Sequence, residues 1–116
     1  MSRKSNISEL IVGAVNTVLP CSLDLAIEQE YPYSVYELTE NPIYDKKEIC
    51  GWEGKGYIYI VDDNTVRLDQ NRDSIVEALE NLCSSTIKFE IVDQELGSDD
   101  STVWAYRIEY KITKAL

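Results

Sequence analysis

From Thr102 to Thr113 the side chains Trp104, Tyr106, Ile108, Tyr110 and Ile112 alternate with polar or small ones. That two-residue period is the signature of a strand with one apolar and one polar face. A strand of this kind needs a sheet beside it and a cover over one side. Thr86 to Val92 repeats the pattern with Ile87, Phe89 and Ile91. Between the two runs Asp93 to Ser101 is polar and acidic, with Gly97 available for a turn, so the segment predicts a hairpin with a longer loop.

The cover comes from two helical patterns. Ile7, Leu10, Ile11, Ala14, Val15, Val18 and Leu19 fall on one stripe at the helical period, Asn6 and Glu9 have the spacing of a capping box, and Pro20 is the stop. The first helix is therefore predicted over Ile7 to Leu19. Asp63 and Asn64 read as the cap of a second, with Leu68, Ile75, Ala78, Leu79 and Leu82 on one side.

Between the helices, Leu23, Leu25 and Ile27 alternate with polar or small residues, predicting a short strand or extended arm. A further strand is expected from Tyr33 to Thr39, ending at Asn41-Pro42. Glu48 to Trp52 and Tyr57 to Val61 are either one long strand interrupted by glycines or two joined by a tight turn. These elements predict one α+β domain spanning residues 1–116: a two-layer sandwich, mainly antiparallel sheet with two helices packed on one face. Lys88, Glu90, Arg107, Glu109 and Lys111 are expected on the other face.

Charge narrows the function. Eleven basic against 21 acidic residues leave a formal charge of −10, the wrong sign for gripping a nucleic-acid backbone. Apolar residues at 44% are too many for disorder, yet no run approaches the roughly 18 apolar residues of a membrane span. The N-terminal stretch lacks the unbroken apolar run and cleavage site of a signal peptide, so cytosolic synthesis is expected.

Chemistry is sparse. The chain has no histidine, which removes the commonest general base and metal ligand. Cys21, Cys50 and Cys83 form no CxxC pair. Asp69, Asn71, Asp73, Glu77 and Glu80 match the oxygen spacing of a calcium loop, but Ser74 stands where that loop needs glycine, and Ile75, Ala78 and Leu79 need helix there. Gly51, Gly54 and Gly56 beside Lys55 imitate a phosphate loop, but a strand follows where a helix must, so a bulge or turn is the simpler reading. Asp62 and Asp63 offer a carboxylate pair without a third ligand tied to them by spacing. No catalytic residue, cofactor or metal is assigned.

Eight tyrosines and two tryptophans against one phenylalanine is a balance suited to contact surfaces, because these rings pair apolar area with a polar tip. Tyr106 and Tyr110 lie on the expected core face. Tyr31, Tyr33, Tyr44 and Trp52 lie beside turns and are the candidates for a subunit interface.

The phrase PYSVYELTENP, the glycine-broken strand before the second helix and the closing hairpin together resemble the small tail-completion (tail-terminator) proteins of tailed bacteriophages and prophages, over roughly Ile7 to Lys114. The resemblance implies a non-enzymatic virion protein, assembled in the bacterial host cytoplasm. It implies a homohexameric ring that caps the tail tube, meets the head connector and lets DNA pass without specific binding. On that reading the acidic loop with Asp93, Glu95, Asp99 and Asp100 faces the lumen. The rival class is a small acidic adaptor or immunity-type regulator with a basic protein partner; a small enzyme using Asp62, Asp63 or Cys50 is the third.

Overall fold

The computed structural model describes residues 6–23, 31–98 and 102–116. In chain order the elements are α1 (Ile7–Asn16), β1 (Cys21–Leu23), β2 (Tyr33–Asp45), β3 (Glu48–Asp62), α2 (Thr65–Glu80), β4 (Ile87–Ser98) and β5 (Trp104–Ala115). The strands form one sheet in the order β1-β2-β3-β5-β4. Among the described residues the β1–β2 pair is parallel and the other pairs are antiparallel. This is the α+β sandwich that the alternating patterns predict.

Register decides which side chains share a face. Tyr36, Ile58, Ile108, Tyr110, Phe89 and Ile112 lie on one side and are buried. They meet Ile7, Ile11 and Val15 of α1 and Leu68, Ile75 and Leu79 of α2. Fully burying each such side chain contributes on the order of 2 kcal/mol, which is what holds the layers together. The open side carries Lys88, Glu90, Arg107, Glu109 and Lys111, as the alternation requires.

Four expectations need correction. α1 ends at Asn16 rather than Leu19. Thr17 Oγ1 donates to the Ala14 carbonyl (2.6 Å), while Asn16 Oδ1 accepts from the Cys21 N–H (2.8 Å), so polar side chains end the helix before Pro20 does. Pro20 instead anchors β2: its carbonyl accepts both the N–H and the hydroxyl of buried Ser34. The capping box is absent, because Asn6 is left-handed (φ 57) and makes no side-chain cap bond.

β2 does not end at Asn41-Pro42 but pairs with β3 through Asp45. Proline restricts its predecessor to extended backbone, which a strand already has, and costs only one donor. β3 is a single strand running through its glycines. The register shift falls where Tyr44 pairs with Ile49 and Ile43 with Gly51, leaving Cys50 unpaired. At Gly56 an added Cβ would lie 1.9 Å from the Glu37 carbonyl oxygen, so a side chain is excluded there.

The fourth correction concerns the acidic loop. Asp93 and Glu95 are in β4, paired with Glu109 and Arg107 of β5. The ladder continues past a bulge at Val92 with no need for apolar side chains. Asp99 and Asp100 lie outside the described residues, as do Leu25 and Ile27.

Candidate protein-protein interface

The four candidate aromatics fall into two pairs at opposite ends of a molecule measuring 52 × 26 × 21 Å. At one end Tyr31 and Tyr33 stack with ring centroids 5.8 Å apart. Burial first, and the neighbouring Tyr31 second, push the Tyr33 phenol above its usual range. The two rings join Val61, Val103, Trp104 and Ala105 around a groove of about 340 Å³.

At the other end β2 and β3 form an arm closed by the two-residue turn Lys46-Lys47. Tyr44, 62% exposed, and Trp52 share the helix-side face of this arm. Trp52 is half-buried against the core, and its indole N–H is enclosed without an acceptor. Its truncation therefore disturbs the subunit as well as any contact. Both lysines of the turn have positive φ (49 and 72). Such turns favour asparagine and glycine because a Cβ crowds the left-handed backbone.

Between the ends the open sheet face is mixed. Tyr57 and Tyr59 lie side by side with centroids 6.2 Å apart, and the Arg107 guanidinium sits 5.3 Å over the Tyr57 ring. Arg107 also pairs with Glu95. Burial, then the Glu37 carboxylate, raises the Tyr59 pKa. Lys88 bonds Glu90 at 2.8 Å, which raises the lysine and lowers the carboxylate. Sequence reasoning missed Tyr57, Tyr59 and Arg107 as one patch, although their alternation within β3 and β5 was the available signal.

Of the carboxylates that imitate catalytic or metal sites, Asp62, Asp63, Asp69 and Asp73 have structural partners. Asp62 is fully buried, and Arg67 grips it through Nε–Oδ2 (2.7 Å) and Nη2–Oδ1 (2.6 Å). The Asn64 N–H also reaches Oδ1. Burial pushes this carboxyl up, but the hydrogen bonds and charge of Arg67, with Asn64, outweigh it and hold the pKa below the ordinary value. Asn64 caps α2 by accepting from the Arg67 N–H (3.0 Å). Asp69, Asn71, Asp73, Glu77 and Glu80 belong to the continuous helix α2, and Asp69 accepts the Tyr106 hydroxyl (2.6 Å). No cluster of His, Cys, Asp or Glu suited to a metal occurs among the described residues, and no described helix is long and apolar enough to cross a membrane.

No family model matches the sequence, and no curated protein matches it. A solved structure does. A chain of the "Virion of native gene transfer agent (GTA) particle" superposes with a TM-score of 0.63 at 10% identity, covering 91% of this chain and 84% of that one. At that identity the likeness is one of fold, extending over nearly the whole of both chains.

Proposed function

We propose that this chain is a structural protein of a phage-like particle, with no catalytic role, that closes as a ring at the end of a tail tube and joins it to the head connector. The observation that carries the reading is the near full-length fold likeness to a chain of a gene transfer agent virion. It agrees with the element order, and with the placing of Tyr31 and Tyr33 at one end and Tyr44 and Trp52 at the other instead of around one cleft. The strongly negative chain suits a channel wall, since like charge lets DNA slide past without sticking. Asp93 and Glu95, exposed on β4, are the described residues assigned to the lumen.

Particles purified from a host that encodes the chain test this. Labelling the chain and imaging the particles should place one cluster of about six copies, a closed cyclic set, at the head–tail junction. Absence from purified particles, or distribution along the tail, overturns the proposal.

A further inference from the structure

β4 is the last strand in the order of the sheet, and its two halves are held differently. In the half formed by residues 87–91, Phe89 is buried and its ring stacks on Tyr110 at 5.7 Å, while Ile87 and Ile91 pack against the core. The free edge of this half is capped by the segment that follows α2. The Ser84 N–H donates to the Ile87 carbonyl (2.9 Å), the Phe89 N–H donates to Cys83 Sγ (3.4 Å), and the Cys83 thiol donates to the Phe89 carbonyl (3.6 Å). These caps stop at Phe89.

At Val92 the ladder slips: Ile91 pairs with Tyr110 and Asp93 with Glu109, leaving Val92 with no residue opposite. Beyond it every residue from Asp93 to Ser98 is exposed. This half is tied to its neighbours by Arg72 donating to Gln94 (3.2 Å), by the Arg107–Glu95 pair and by the Ser98 hydroxyl donating to the Val103 carbonyl (3.2 Å). Exposed contacts of this kind add little in water. Asp93 opposite Glu109 sets like charges across the ladder, which weakens the pairing. β5 is fixed on its far side by β3, from Asp62 opposite Trp104 onward, and by the Tyr106 hydroxyl donating to Asp69 (2.6 Å). The outer half of β4 can therefore leave β5 without disturbing the core.

We infer that β4 carries a hinge at Val92, about which residues 93–98 open from β5 as one unit while residues 87–91 and β5 stay in place. Opening uncovers hardly any apolar surface, so it costs only backbone bonds that water replaces. The bulge is the place for the hinge, because a bulged strand is already bent and has one residue unpaired. The lifted segment uncovers the backbone edge of β5 over residues 104–109, next to the groove that Trp104 and Ala105 line. An uncovered edge accepts an added strand, so the hinge is a device that offers a pairing edge only when the segment lifts. It does not depend on ring formation.

Native-state hydrogen exchange, read amide by amide on the full chain, tests it. Of the β4 amides bonded to β5, those beyond Val92 should be protected about 100-fold less than those of residues 87–91, all to one level and at rates indifferent to low urea. The β5 amides that face the outer half should share that level, whereas those that face β3 should not. Uniform protection along β4 overturns the hinge. A gradient that decays from Asp93 to Ser98 overturns it too, because it marks fraying from the end. A second measurement removes the bulge. Deleting Val92 should leave the pairings on both sides and their faces in place, Ile91 still with Tyr110 and Asp93 still with Glu109. Protection of the outer amides should then rise about tenfold or more, as the two halves join one ladder. Outer protection that stays as low as before assigns the opening to exposure alone and overturns the hinge.

Discussion

Glycine in a strand is read from sequence as punctuation, and here that reading misplaces the bend. Gly54 and Gly56 are required because other parts of the chain come too close. A Cβ on Gly54 would meet Leu38 and Ile112 side chains at 2.9 and 3.1 Å, with Ile7 of α1 just beyond. The Tyr110 hydroxyl reaches across β3 to the Glu37 carbonyl (2.8 Å), the same oxygen that excludes a side chain at Gly56. Burial pushes the Tyr110 phenol well above its usual range, so it remains a donor. None of these contacts is local, which is why spacing alone could not reveal them. Gly56→Ala is expected to cost roughly 3 kcal/mol or more, because the obstacle is backbone. Gly97→Ala, with nothing within 4 Å of its Cβ, should stay within about 0.5 kcal/mol. Urea unfolding compares them, and equal costs would contradict this account of β3.

At the scale of elements, burial decides what the sequence reveals. α1, α2 and the apolar half of the β4–β5 hairpin are legible because one face of each is covered, which imposes a period. The second half of β4 is not legible: beyond Val92 both faces are exposed, so no apolar period marks the strand, and backbone pairing with the Arg72–Gln94 and Arg107–Glu95 contacts carries it. The arm escapes for the same reason, with Pro42 adding a false stop. The β3–α2 junction was read as a helix cap, and the cap is there at Asn64, but the buried Asp62–Arg67 pair behind it needed the fold to be seen. That pair gives an acid-sensitive contribution. The folded carboxyl titrates below its unfolded value, so its stabilisation is present above about pH 4 and is lost as pH falls through the folded pKa. The difference in melting midpoint between the wild type and Asp62→Asn should therefore narrow as pH drops below about 4. A difference that stays constant down to the acid limit would assign the pair no such role.

For the whole molecule, element order was readable and the placing of aromatics at opposite ends was not. Tyr31, Tyr33, Tyr44 and Trp52 are within 22 positions of one another in sequence, yet the long β2–β3 hairpin carries the second pair away from the first. The result is an elongated, acidic subunit whose two ends differ. Raising salt from about 0.1 to about 1 M shortens the screening length from about 10 to about 3 Å, which removes most of the repulsion between copies of charge −10. Molar mass by light scattering, followed against protein concentration across that range, tests the ring directly. The account predicts a step from the monomer to one discrete species of about six subunits, favoured by salt and by concentration, because a heterologous contact that closes has a fixed end point. A monomer under every condition, or growth without a fixed end point, would contradict it.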